Sequence, residues 1–532
     1  MSLVFDTAAP PPAADPRRAD VACFVGHVGR RAGRPLSAAH RAQLDAAGWV
    51  QGPWRRGEDE LQSLLNLPLA LDSFSAFDEL YAWDRRPLRA GSSETCACPL
   101  GAAVRSFFAR GGRRAVVLRV GDPWPVVETA AAHTAARRER IRRLLPEMSG
   151  GDSSPQLFAP HDPRLWQGAH HLAGLREPSL LLLPDLPDIC GLPPPGPAAE
   201  VPMPAVPTAF VECSTNEPRR DDSTLARLPA PRLDDAGYAL WAETLRLARR
   251  LLARRELRET LLVAALPLPR PETRGSSAVH AQVDMPAFLR ALDVIPDPFR
   301  PAPPADDPGA RSAFLQLAWP WLATRAATDL PQGLEAPDGA LAGLIAAGAV
   351  AQGSFRSVAG DFSLPRLRDV GGTEPQPNWG AAEDTPDALL ARHVCVFAPQ
   401  PGGYALQSDV TPSADPAWRF GGASRLMGSL LRTARAAGDA LAFELNGPAT
   451  WAQVRRSMEQ LFEAFWREGA FGGRNADEAY AVRCDRQTMT QADLDAGRLV
   501  VEISVLPAAS IERITVVLAL NTAGAAALRE AA

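Results

Sequence analysis

The chain has 532 residues, 22% of them charged, and a formal net charge of -5 at pH 7. That length allows two or three separate hydrophobic cores, and the near-balanced charge gives no general case for nucleic-acid binding. Lys is absent, so all 56 basic side chains are Arg, which excludes any phosphate loop built around a Lys.

Ser2–Thr7 is a short extended candidate, and Ala8–Arg18 is rich in Pro and Ala, a composition that keeps chain semi-rigid and extended. From the residues alone this reads as a frayed terminus. Met1–Val4 lacks the flank and apolar run of a secretion signal, and no window reaches the apolar length of a membrane span. The expectation is a protein made and assembled in the cytoplasm, without direct membrane insertion. The seven Cys are scattered, with only Cys96 and Cys98 close together, which fits reduced thiols better than a disulfide framework.

Val21–Gly29 reads as a buried strand ending in glycines. Gly26 and Gly29 mark a plain turn, because the third glycine of a nucleotide-binding loop is missing. Ser73–Tyr81 and Pro99–Arg110 are short helices, Gly111-Gly112 is a break, and Ala115–Val120 is a strand. Leu180–Leu183 and Thr260–Ala265 read as further buried strands. Between them, Tyr238–Arg255 is an amphipathic helix with Leu245, Ala248, Leu251 and Leu252 on one side. Such alternation points to α/β layers. The Pro-rich stretches Leu192–Pro207 and Pro296–Pro308 are surface loops or linkers.

The stretch Ala442–Leu520 carries the clearest pattern. Thr450 and Gln453 have the spacing of a capping box. Trp451, Val454, Met458, Leu461 and Phe465 form one apolar stripe of a helix, and Gly469 is a natural stop. Tyr480–Cys484 and Arg498–Leu506 alternate as strands, the second with Leu499, Val501, Ile503 and Val505 on one face. Ile514, Val516, Leu518 and Leu520 alternate again near the chain end. A strand this apolar needs a sheet to join, since an unpartnered one is an aggregation-prone edge.

Trp451, the run Trp466–Gly473, the run Glu478–Asp485, the run Gly497–Ile503 and Pro507, in this order and spacing, resemble the C-terminal domain of contractile tail sheath proteins. These are the sheath subunits of myophages, R-type pyocins and related contractile injection systems. The helix ending in Phe107-Phe108, the Gly111-Gly112 turn and the strand Ala115–Val120 also resemble the family. So do the aromatic-Pro-Trp segment Ala313–Leu322, the loop Glu335–Gly339, the small-residue helix Ala340–Gly353, and the groups Trp418–Phe420 and Arg425–Met427. Phe355–Gly360 and Gln407–Thr411 depart from the family pattern, and from Gly121 to about Ala310 the resemblance thins.

The resemblance implies a multidomain α/β and α+β protein: an α/β outer body, a small C-terminal α+β assembly domain and extended terminal arms. Its expected boundaries are an arm over 1–20, a body over 21–365 with a variable middle at about 121–310, an assembly domain over 366–510 and an exchange strand and tail over 511–532. It implies a non-enzymatic subunit of a helical sheath of stacked rings, contacting an inner tube and baseplate and cap proteins. It assigns Leu3, Val4, Phe5, Ile514, Val516 and Leu518 to strand exchange between subunits. Arg455-Arg456 with Arg467 are, from the residues, a solvated helix face; the resemblance adds a second reading, in which Arg455 and Arg456 face the tube. A divergent cap or baseplate-proximal paralogue and a soluble α/β enzyme with a site in the middle region stand as alternatives.

Catalytic and metal signatures are missing: the chain has no H-E-x-x-H and no G-x-S-x-G. Ser424 comes nearest to the latter, but Leu426 stands where the second glycine belongs. Adjacent His170-His171 point apart in any regular element and are assigned to the surface. Cys96-Ala97-Cys98, with no second pair, is a structural loop. No catalytic residue, metal or cofactor is expected.

Overall fold

The computed structural model describes residues 18–149, 158–194, 224–254, 257–270, 285–297, 309–360, 367–376, 386–439, 445–495, 498–508, 516–520 and 526–530. Leu3, Val4, Phe5 and Ile514, and most of both Pro-rich stretches, lie outside the described residues. The chain divides into two compact units, the first ending at Thr433 and the second starting at Ala434.

The first unit runs through β1 (Val21–His27), β2 (Leu69–Leu71), α1 (Pro99–Ala109), β3 (Arg114–Gly121) and α2 (Ala130–Leu144). It continues through β4 (Leu180–Leu182), α3 (Leu186–Cys190), α4 (Asp235–Leu252), β5 (Leu261–Ala265), β6 (Leu315–Trp319) and α5 (Asp338–Gln352). It closes with β7 (Cys395–Gln400), β8 (Gly403–Leu406) and the start of α6 (Gly421–Asp439). The expected strands and helices of this region that fall on the described residues are present; the extended candidate Ser2–Thr7 lies outside them. The helix expected from Tyr238 starts earlier, because the Asp234 carboxylate accepts from the Gly237 N–H at 2.8 Å and so caps it at that point.

Eight strands form one sheet in the order β8-β7-β6-β5-β4-β1-β3-β2. The six from β7 to β3 are parallel, and β8 and β2 flank them antiparallel. Counted along the chain, the parallel strands run 2-1-3-4-5-6, so the order reverses between β1 and β4. Parallel strands need helices on both faces, and their sequences are accordingly apolar throughout. In β1, Val21, Cys23 and Val25 enter a core with α2, α3 and α4, while Ala22 and Phe24 enter the opposite core with α1 and α5. On that second face two glycines let helices touch. A Cβ on Gly339 would lie 2.4 Å from the Ala103 carbonyl oxygen, and one on Gly343 would lie 2.6 Å from that of Phe107. Residues 395–406, expected in the C-terminal domain, supply β7 and β8 to this sheet.

The second unit contains α7 (Pro448–Arg467), β9 (Tyr480–Arg483), β10 (Glu502–Val505), β11 (Val516–Leu520) and β12 (Ala526–Glu530). The expected capping box does not form. The helix starts earlier, with Gly447 as its N-cap and Pro448 in the first turn, and Thr450 Oγ1 instead donates to the Leu445 carbonyl at 2.6 Å. The buried stripe is Val454, Met458, Phe462 and Phe465; Phe462 takes the place expected for Leu461, and Trp451 and Leu461 are only half-buried. Gly469 ends the helix as expected, at φ 81°, and the Ala470 N–H reaches back to the Phe465 carbonyl at 2.9 Å, which closes the last turn.

His170 and His171 are not at the surface. They sit in a short 3-10 stretch, 0% and 1% exposed, with His171 against the rings of Trp49 and Trp166 and His170 against Phe158. Burial, helped by the neighbouring His170, pushes His171 down to about 3. His170 Nε2 lies 3.0 Å from Glu147 Oε1. Among the described residues no group of three or more His, Cys, Asp or Glu side chains is arranged to hold a metal ion.

Candidate assembly surfaces and the crevice of the sheet

Open α/β sheets hold ligands outside the carboxyl ends of their strands, where the strand order reverses. Here that place is the end of β1 and β4. The His27 N–H and Nδ1 meet Asp185 Oδ2 at 2.5 and 3.0 Å, both side chains being buried. Gly26 leaves room for the carboxylate, since a Cβ there would lie 2.8 Å from Asp185 Oδ2. Trp124 fills the space above, with the His27 ring edge-on at 5.2 Å and the guanidinium groups of Arg86 and Arg140 at 5.2 and 4.3 Å from its ring.

Both arginines are held from behind. Arg86 donates to the Trp124 carbonyl at 2.9 Å and to Asp188 at 2.7 Å. Arg140 donates twice to Glu128, at 2.6 and 3.1 Å, and His133 Nδ1 lies 2.6 Å from the same carboxylate. Burial alone would raise the Glu128 carboxyl, but the bonds from Arg140 and His133 outweigh it and hold it below its ordinary range. The polar groups at the crevice therefore pair mainly with one another, and guanidinium groups occupy the ring on which a planar ligand would stack.

The Cys98 thiol is equally occupied. Cys98 Sγ accepts from the Gly101 N–H at 3.4 Å as the cap of α1, and burial pushes it up to about 12. Ser424, half of an incomplete nucleophile motif, donates its hydroxyl to the Gly421 carbonyl at 3.0 Å inside α6.

In the second unit α7 lies on β9 through an aromatic group: Phe462 is 5.8 Å from Tyr480 and 6.2 Å from Phe471, and Phe471 is 6.1 Å from Tyr480. Tyr480 OH also donates to Glu463 Oε2 at 3.2 Å. The opposite face of α7 is open. Arg455 Nε stands 3.7 Å from Glu459, with both side chains about half exposed at 49% and 45%. Arg456, also exposed, donates to the carbonyl of Ala452 in its own helix. Arg467 pairs with Glu463 at 2.9 Å.

The strands of this unit are short ladders. β9 pairs antiparallel with β10, Val482 opposite Ile503, and among the described residues each pairs with no other strand. Glu502 and Ser504 are exposed, Ile503 and Val505 are only half-buried, and Leu506 beside them is 52% exposed. Val516 and Leu518 lie on β11, as the alternation predicts. The sequence reading found no partner for that strand, but β11 forms a hairpin with β12, Val516 opposite Glu530 and Leu518 opposite Leu528. The short, Ala-rich β12 carried too little apolar alternation to stand out.

Residues 413–521 match the family model described as the phage tail sheath C-terminal domain. No curated protein sequence matches the chain. Among solved structures it is similar to a chain of the anti-feeding prophage baseplate in the contracted state, at 19% identity and TM-score 0.56, covering 98% of this chain and 99% of that one. It is also similar to a chain of the 6-fold symmetrised baseplate of the same particle, at 15% identity and TM-score 0.52 with the same coverage. At these identities the two likenesses show a shared fold.

Proposed function

We infer from the match of residues 413–521 to the phage tail sheath C-terminal domain that this chain belongs to the contractile tail sheath family and is a structural subunit of a contractile sheath in a phage tail-like particle. Copies polymerise around an inner tube in an extended helical lattice and then rearrange into a shorter, wider one that drives the tube through a target envelope. Energy is stored in the lattice, so the subunit needs neither nucleotide nor metal and performs no catalysis. No helix among the described residues is long and apolar enough to cross a membrane.

One observation carries the reading beyond the family match. The second unit holds two separate two-stranded ladders, β9–β10 and β11–β12, and the first of them and β11 lie within the residues matched to the phage tail sheath C-terminal domain. A two-stranded ladder is marginal by itself, and backbone bonds to a strand from another copy form irrespective of side chains. Leu3, Val4 and Phe5 at one end and Ile514, Val516 and Leu518 at the other are the strands we assign to that exchange. Arg455 and Arg456, exposed on α7, are the groups we assign to the tube, with baseplate and cap proteins closing the two ends.

Negative-stain microscopy of the purified full chain, alone and with its tube protein, tests this. Helical tubes of stacked rings are the expected outcome. A chain that binds only a tube end, without polymerising, is a cap or baseplate-proximal paralogue; a chain that remains monomeric under all conditions overturns the sheath assignment.

A further inference from the structure

A fully bonded buried charge lies where α6 begins. Arg425 and Asp409 are a buried ion pair, their side chains 3% and 1% exposed. Arg425 Nη1 donates to Asp409 Oδ1 at 2.8 Å and Nη2 to Oδ2 at 2.6 Å, so the contact is a two-pronged fork. The remaining donors reach the Gln316 side chain at 3.1 Å and the carbonyls of Ser354 and Arg356 at 3.0 and 2.9 Å. Asp409 is held in turn by the Gln316 amide at 2.7 Å and the Val358 N–H at 3.0 Å. One guanidinium thus ties α6 to β6, to the segment after α5 and to the segment after β8.

Two glycines make room for this cluster. A Cβ on Gly421 would lie 2.3 Å from Asp409 Oδ1 and 2.6 Å from Arg425 Nη1, and one on Gly422 would lie 2.1 Å from the Phe355 carbonyl oxygen. The same helix face repeats the contact one and two turns on. A Cβ on Gly428 would lie 2.9 Å from the Glu259 carbonyl oxygen, Ser429 Oγ meets Ser354 Oγ at 3.0 Å, and Arg432 Nη1 donates to the Glu259 carbonyl at 2.9 Å. Residues 421, 422, 425, 428, 429 and 432 fall at three- and four-residue steps, which places them on one stripe. The stripe is built of glycine, serine and arginine where an apolar stripe would have sufficed for burial.

Buried ion pairs add little net stability over apolar packing, because desolvation consumes most of the attraction; their best-attested use is to fix one geometry. A planar fork with several acceptors resists both rotation and sliding of the helix, as interchangeable methyl groups do not. We propose that Arg425 is a positioning residue that locks α6, as far as Thr433, to the sheet as one rigid piece. Resting on the sheath reading, this makes that stretch of α6 the fixed end from which the chain leaves the body during contraction.

The test is Arg425→Lys in the full chain. Lys keeps a charge opposite Asp409 but cannot serve the other acceptors at once. The expected result is a body that melts near the wild-type temperature, exchanges the amides of residues 425–433 about tenfold faster, and yields fewer and shorter sheaths. Wild-type exchange in that segment overturns the lock, and faster exchange with wild-type sheath yield overturns its role in positioning. If the variant does not fold, hydrogen exchange of the wild-type chain decides. Protection of 425–433 equal to that of β5 supports the lock, and exchange as fast as in α7 overturns it. A wild-type chain that forms no sheath at all defeats the sheath reading, while the exchange result still decides the lock.

Discussion

Arg425 in the body and Arg455 in the second unit show two ways of using the same side chain. Arg425 gives its donors to four partner residues inside the fold, whereas Arg455 meets one glutamate at 3.7 Å with both partners half in water. Removing one partner of a buried pair leaves an unpaired charge at a cost of about 3–5 kcal/mol, whereas an exposed pair contributes about 0.2–1 kcal/mol. The same contrast holds for backbone ladders. β1 is bonded on both sides and covered on both faces, while β9 and β10 pair only with each other among the described residues. Contacts that are cheap to break singly and are repeated in every copy suit a lattice that must rearrange; contacts that are costly to break suit the part that moves as a block.

The largest effect is expected from removing the strands we assign to exchange. Deleting Met1–Pro16, or Ile514 to the chain end, should leave the body folded with its melting temperature unchanged and abolish long sheaths in negative stain. Normal-length sheaths from either truncation would mean that the ladders of the second unit are complete without neighbours.

Next comes Phe462, the most deeply buried ring of the second unit among the described residues. Phe462→Ala removes the ring between Phe471 and Tyr480 and should destabilise that unit by about 3–5 kcal/mol, read as lost amide protection across α7 and β9. A loss below about 1 kcal/mol would mean that α7 is not held there by its aromatic group.

The body should also respond to pH in a direction set by its buried acids. Burial, partly offset by Arg110 and Ser106, pushes Glu335 up to about 7, and burial pushes Asp338 up to about 7 despite the Gly339 N–H. Both pKa values are raised on folding from 4.5 and 3.8. Their contribution is therefore fully present below about pH 4 and is lost as pH rises through about 7. Denaturant unfolding of wild type against Glu335→Gln with Asp338→Asn should show the variant gaining on wild type across that interval. A difference that does not vary with pH would remove these two acids from the balance.

The smallest effect on stability belongs to the α7 surface. Arg455→Glu with Arg456→Glu should leave the melting temperature nearly unchanged, since each exposed pair contributes about 0.2–1 kcal/mol. Co-assembly on the tube should weaken, and raised salt should weaken the wild-type contact in the same direction. Wild-type yield and salt response in the double variant would make these arginines an ordinary solvated face.

The strands β1, β3, β4 and β5 were legible in the sequence because each is a short apolar run, buried on both faces, and punctuation by Gly and Pro marked its ends. Contacts assembled from distant segments were not. His170 and His171 looked like surface residues because the packing that buries them, such as the Trp49 ring against His171, includes a segment distant in the chain. The helix start at Gly447 was hidden because T-x-x-Q imitates a capping box one turn too late. Arg425 was visible only as part of a family pattern, since its partners Gln316, Ser354, Arg356 and Asp409 are separated by up to 109 positions. The exposed Arg455 and Arg456 were placed correctly off the buried stripe, because helical periodicity is a local property.

The most direct measurement is a helical reconstruction of the polymer at a resolution that separates strands. β9 and β10 are expected to belong to a wider sheet in the polymer, with at least one added strand from Leu3–Asp6 or Ile514–Leu520 of a neighbouring copy. A polymer in which β9–β10 remains two-stranded, with both chain ends packed on their own subunit, would contradict it.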